Sequence, residues 1–423
     1  MPPTVAAMTL ATRLFALLAL VSLLAGWGVR PTASTRVDDD DLQGNASAGV
    51  ASTPPNAGVE AAFTARSYAP GDTATLRLEG RPAPVLIAFF RAGSGHDGVM
   101  QGLQVTPQRK VVGGGALELR LGNWQSGLYY VRVVTPGRGT WDAPFVLRAS
   151  RIGTSKIAIV LPTNTWQAYN DQADDSWYFN ADVTHIDLAR PYIDAGVPPH
   201  YRGYDRGFMR WLVLQHVHAD FLSDDDLDRL SGEQLARAYS LVVFSGHEEY
   251  VTAHQFDTTE RYRDLGGNLA FLSANDFFYK VEKSGNTMVG RSRWRDADRP
   301  EAALVGEQYV DWNHGRYPNQ PFRVVGSKRT PWLFRDTGLV DGTRFGVYGI
   351  EVDATAPASP RGTQVLATIP NIFGAGESAE MTYYSTPAGA KVFSAGVMNF
   401  GGSALWPQVR TMIANLIAYL SRP

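Results

Sequence analysis

The chain has 423 residues, no cysteine, a formal net charge of −2, and 44% hydrophobic against 19% charged residues. Such a length exceeds one compact core and suits roughly two to three domains. The missing cysteine removes disulfides, thiolate zinc sites and thiol nucleophiles, and the near-neutral charge without a basic tract excludes a nucleic-acid partner.

In chain order, Arg13 precedes an apolar run over residues 14–26, the pattern of an export signal and shorter than the ~20 residues that cross a bilayer. Residues 1–30 are therefore expected to be a signal peptide or a membrane anchor. Either one places the protein in the periplasm, outside the cell or tethered to the membrane. Residues 31–57 are polar and read as a disordered linker.

Over residues 58–150, short alternating runs at 73–78, 84–90, 116–121, 128–134 and 143–149 are broken by Gly and Pro. Period-two runs between turn signals predict a small immunoglobulin-like β-sandwich. After residue 150 the rhythm changes. Apolar runs at 156–161, 219–222, 240–244 and 268–272 alternate with helical spacing at 204–217, 232–238 and 253–264. That alternation predicts an α/β domain over 151–423, a doubly wound and mostly parallel sheet covered by helices on both faces. Ser231 with Gln234, and Thr252 with Gln255, have capping-box spacing, and Gly266 and Gly267 fall where a helix would stop. Tyr383 pairs with 392–394 in an expected hairpin, residues 404–420 form a closing amphipathic helix, and the Trp- and Gly-rich stretch 285–374 carries no assignable period.

In an open parallel sheet, ligands bind where the loops leave the carboxyl ends of the strands. Three such loops bring Tyr169, His247, Glu248, Glu249 and Asn275 to one edge. Each has a plainer role: Tyr169 as a packed aromatic, the glutamates as partners of a helix N-terminus, His247 as a structural imidazole. Their convergence favours a site. A zincin reading of the segment from His247 fails, because Val251 stands where the second histidine belongs and His254 lies too far on. His216-Val-His218 carries little weight as a metal motif, and neither a phosphate-binding Gly-rich loop nor a Gly-x-Ser-x-Gly elbow is present at a strand-to-helix turn.

The strings Pro162-Thr-Asn-Thr-Trp-Gln-Ala-Tyr-Asn, Gly246-His-Glu-Glu-Tyr, Gly266-Gly-Asn-Leu-Ala-Phe-Leu-Ser-Ala-Asn, Gly349-Ile-Glu-Val-Asp and Thr386-Pro-Ala-Gly-Ala-Lys-Val-Phe-Ser together resemble the C-terminal-domain family of the N,N-dimethylformamidase large (beta) subunit. The resemblance implies a fold like that of class I glutamine amidotransferases and a mononuclear, ferric iron held by two tyrosines and a glutamate. Carried over by motif, the metal ligands are Tyr169, Tyr178 and Glu249, and His247 and Asn275 are the catalytic residues beside them. Phenolate and carboxylate are hard anionic donors that suit a trivalent ion. The resemblance thus implies an exported iron-dependent hydrolase of a C–N bond in a small amide-like substrate, with any oligomer or small partner subunit left open. The alternative is a catalytically inactive member that binds a ligand or partner at the cell surface. In the hairpin, Ser385 stands where the resemblance implies a glutamate, with Glu380 five residues earlier.

Overall fold

The computed structural model describes residues 58–422, apart from Ala181 and Tyr317. The expected signal or anchor and the linker lie outside the described residues. Among the described residues no helix is long and apolar enough to cross a membrane.

Residues 58–147 form two sheets packed face to face. One pairs Glu60–Phe63, Thr73–Glu79 and Gly115–Arg120 antiparallel. The other is built around Pro84–Arg91, Gly127–Thr135 and Gly139–Leu147. Alternation decides which side chains meet: Ala74, Leu76 and Leu78 of the first sheet share a core with Val131, Val133 and Phe145 of the second.

The larger part is a mixed nine-stranded sheet. Its strands are β1 (Ile157–Leu161), β2 (Asp220–Ser223), β3 (Leu241–Phe244), β4 (Asn268–Phe271), β5 (Gln320–Val324), β6 (Arg344–Tyr348), β7 (Gln364–Gly374), β8 (Glu377–Ser385) and β9 (Lys391–Ser394). They are ordered β2-β1-β3-β4-β9-β8-β7-β5-β6. From β2 to β9 every pairing is parallel; beyond β9 every pairing is antiparallel. The parallel portion comes from the segments whose periodicity announces it. The antiparallel extension is supplied largely by the stretch that carries no readable period.

Both faces of the parallel portion are covered. Ile159, Leu161, Val243 and Ala270 point to one core with Phe208 and Trp211 of α2 (Arg206–Leu214) and Met412, Ile413 and Leu416 of α5 (Pro407–Leu420). Ala158, Val160, Val242, Phe244 and Leu269 point to the other with Leu235 of α3 (Gly232–Ala238) and Phe256 and Tyr262 of α4 (Ala253–Asp264). Each large side chain so buried contributes about 1.5–3 kcal/mol. A further helix, α1 (Thr163–Tyr169), follows β1 directly.

The capping boxes at Ser231 and Thr252 form with both reciprocal bonds, and a third forms at Ser223 with Asp226. Gly266 ends α4 at φ +95°, a conformation that favours glycine. A small sheet of His185–Asp187, Thr287–Arg293, Tyr279–Ser284 and Tyr250–Thr252 stands beside the parallel strands. It shares a core with Ala168 and Tyr169 at the end of α1. A two-stranded ribbon pairs Gln308–Trp312 with Glu351–Ala354. Both additions converge on the carboxyl edge of the sheet.

Candidate active site

Apart from Tyr178, each site residue sits past a parallel strand or on one of these additions. Tyr169 closes α1. His247 and Glu249 occupy the loop between β3 and Tyr250–Thr252, and the Glu249 and Tyr250 amides both donate to Thr165 Oγ1, at 3.0 and 3.3 Å. Asn275 follows β4 with a left-handed backbone, φ 54°. Its N–H donates to both carboxylate oxygens of Asp353, at 2.8 and 2.9 Å.

Tyr169, Tyr178, His247, Glu249 and Asn275, the ligands and catalytic residues carried over by resemblance, come together. The rings of Tyr169 and Tyr178 stack with centroids 4.9 Å apart, and the His247 ring lies 5.6 Å from that of Tyr169. His247 Nε2 is 3.5 Å from Glu249 Oε2. The Tyr169 phenol and the Asn275 amide both lie against the Glu249 carboxyl. Tyr169, His247, Glu249 and Asn275 are buried, whereas Tyr178 is 37% exposed and is the member that reaches solvent. Glu248 faces a different set: its amide donates to Asp276 Oδ1 at 2.8 Å, and its carboxyl lies among Asp224, Asp276 and Asp205.

One carboxylate escaped the sequence reading. Glu351 Oε2 accepts from Asn275 Nδ2 at 2.8 Å, and its charge bears on both Glu249 and Tyr169. The signal was there in Gly349-Ile-Glu-Val-Asp, where Glu351 and Asp353 sit two apart on one strand and so on one face. The hairpin position has no part in the site. Ser385 pairs with Lys391, whose amide binds Asn268 Oδ1 at the amino end of β4. It therefore lies at the opposite edge, and the carboxylate facing Glu249 comes from Glu351 instead. Glu380 is bonded to the Thr355 amide and hydroxyl.

The electrostatics are those of an acid surplus. Burial, then Glu249 and Glu351, push the Tyr169 phenol well up from its ordinary value. Burial and Glu351 do the same to the Glu249 carboxyl, with Arg291 giving partial relief. Burial holds Glu351 at about 8, and burial with neighbouring His200 takes the His247 imidazole down to about 3, so His247 is neutral at pH 7. His247 Nε2, Glu249 Oε2 and Asn275 Oδ1 have no hydrogen-bond partner, an arrangement that is costly unless something else satisfies them. A bound cation would reverse each of the acid shifts at once. Among the described residues no three imidazoles or carboxylates form a metal cage of their own.

Beside this cluster, a void of about 10 Å³ is bounded by Tyr169, His200, Asp205 and His247, the lower limit for one water. Asp205 is 1% exposed, its Oδ2 accepts from Trp166 Nε1 at 3.3 Å, and its Oδ1 has no partner. Burial raises its carboxyl from 3.8 to about 7. Between those pH values the folded chain keeps a proton that the unfolded chain has lost, so stability falls as pH rises through the window. Asp205→Asn is therefore expected to match the parent near pH 4 and to melt a few degrees higher at pH 8. Calorimetry at the two pH values checks this; an equal offset at both is the contrary result.

The fold and site define a mixed α/β protein whose sheet edge gathers buried phenol, imidazole and carboxyl groups. The family model for the N,N-dimethylformamidase beta subunit-like, C-terminal domain matches residues 116–409, over two thirds of the chain, and the protein belongs to that family. No curated protein matches it significantly. Among solved structures, a Paenibacillus sp. cycloisomaltooligosaccharide glucanotransferase complexed with cycloisomaltoheptaose is 13% identical with a TM-score of 0.18, covering 27% of this chain and 18% of that one. The chain thus spans less than a fifth of that relative. PhoD is 9% identical with a TM-score of 0.27, covering 87% of this chain and 99% of that one. At such scores neither likeness bears on fold or function.

Proposed function

We propose that the protein is an exported, iron-dependent hydrolase that cleaves the C–N bond of a small linear amide. Family membership supports amide hydrolysis in general. The observation that carries the metal-dependent reading is the buried meeting of Tyr169, Glu249, His247 and Asn275, with polar atoms of three of them left unpartnered. Export rests on the sequence pattern of residues 1–30. The likeness to glutamine amidotransferases and the immunoglobulin-like topology of the sandwich belong to the same proposal.

The donor set fits the ion: Tyr169, Tyr178 and Glu249 would hold it, and the surplus of buried acid calls for positive charge. When bound, a ferric ion supplies Lewis acidity that polarises a carbonyl and makes a water more acidic. His247, neutral and with Nε2 unpartnered, takes the proton that water releases on attack and returns it to the departing amine. Glu351, a buried carboxyl held by Asn275 beside Glu249, serves as the partner base. Asn275 donates from Nδ2 to Glu351, which favours a positioning role over direct contact with the reacting groups. Tyr178, half-exposed, lies where substrate would enter.

Purified protein is expected to contain about one iron per chain, to show a visible phenolate-to-iron charge-transfer band, and to hydrolyse simple formamides. Tyr169→Phe is expected to weaken or shift that band. Iron-free protein with no band and no hydrolysis after iron loading would leave the ligand-binding alternative standing.

A further inference from the structure

We propose that the cleft between the sandwich and the α/β portion is a second binding site, for a small organic anion with an apolar body. The cleft has a volume of about 580 Å³, within the 300–1,000 Å³ typical of small-molecule sites. It lies at the amino edge of the parallel sheet, since Asp220, the first residue of β2, and Thr154 and Ser155, just before β1, line it. The candidate active site lies at the other end of the same strands. Neither family membership nor the proposed reaction makes use of it.

Its wall is apolar: Trp124 and Leu128 from the sandwich face Met209, Leu212 and Val213 from α2. The indole of Trp124 is fixed against Tyr129, ring centroids 5.4 Å apart, and against Phe89 at 5.2 Å. Apart from neutral hydroxyls and the Gln125 amide, the polar side chains lining it are one guanidinium, two imidazoles and one carboxyl. Arg91 lines the cleft and donates from Nη1 to Gln125 Oε1 at 3.1 Å, and it meets no carboxylate among the described residues. His216 and His218 add imidazoles to the same rim. The single acid, Asp220, is 2% exposed and already accepts from the Thr154 amide at 2.9 Å, the Ser155 amide at 3.1 Å and the Tyr239 hydroxyl at 3.2 Å. A guanidinium without a counter-charge above an apolar wall selects a carboxylate or sulfonate joined to hydrocarbon.

The test is calorimetric titration of the full chain with 2-naphthoate and with its uncharged analogue 2-acetylnaphthalene. Naphthoate is expected to bind one to one and at least about tenfold more tightly than the ketone, as a charge-assisted contact allows. Arg91→Gln should erase that preference, Arg91→Lys should keep part of it, and Val213→Trp, which fills the cleft, should abolish binding of both. Tyr169→Phe should leave all of it unchanged. The proposal is overturned if naphthoate does not bind, if the ketone binds as well, if Arg91→Gln changes nothing in a folded protein, or if binding is lost with Tyr169→Phe.

Discussion

Glu351→Gln is expected to slow amide hydrolysis by about 10²–10⁴-fold, the range that a positioned acid or base contributes, while iron content and fold stay as they are. Glutamine preserves the shape of the side chain and can still meet Asn275 Nδ2 through its carbonyl, so the Asn275 anchor at 2.8 Å survives. What disappears is the ionisable carboxyl beside Glu249. The loss should appear in kcat with little change in KM, because the role proposed for Glu351 is proton transfer and not substrate binding. The pH profile should also lose one of its limbs. A variant with undiminished kcat would remove Glu351 from proton transfer and reduce it to a scaffold for Asn275.

Glu249→Gln should have the larger consequence: iron content at background, no charge-transfer band, and hydrolysis below detection. An amide oxygen is a poor substitute for a hard anionic donor to a trivalent ion. The metal-free form should respond in the opposite sense. The Glu249 carboxyl is pushed up by burial and by Glu351, so the folded chain holds a proton there that the unfolded chain gives up in weakly acidic solution. That linkage subtracts stability as pH rises. Removing the ionisable group takes the subtraction away, and the metal-free variant should melt above the metal-free parent at pH 8. Iron retained at one per chain in Glu249→Gln would dismiss Glu249 as a ligand.

The parallel half of the sheet was legible because strands buried on both faces are near-continuous apolar runs, and those ending at Leu161, Phe244 and Phe271 are apolar apart from Asn268. Capping chemistry is local, so Ser231 and Thr252 could be read directly. The antiparallel extension was not legible. Its strands β5 to β7 are interrupted by bulges and register shifts, which break the period-two pattern on which strand recognition depends. For the same reason Glu351 went unassigned, since its neighbourhood is set by pairing with Gln308–Trp312 and not by its own segment. Tyr169, His247, Glu249 and Asn275 could be grouped because each follows a parallel strand, and topology alone sends such loops to a common edge. Tyr178 follows no strand and was placed through resemblance; its stacking on Tyr169 is a finding of the structure.

The outer face of the sandwich has no core of its own to finish. Ala88, Phe90, Met100, Leu128 and Tyr130 are buried in the same cluster as Phe208, Met209 and Trp211. Ser67 reaches across to Asp226 at 2.8 Å, and Ser126 receives the Phe221 amide at 2.7 Å. A chain cut at residue 150 would leave that aromatic wall of α2 in water, so residues 151–423 alone would lack part of the core that α2 completes. The family match, which opens at residue 116 inside the sandwich, marks out a stretch that crosses this seam. The family match and the shared core thus both span the change of rhythm near residue 150.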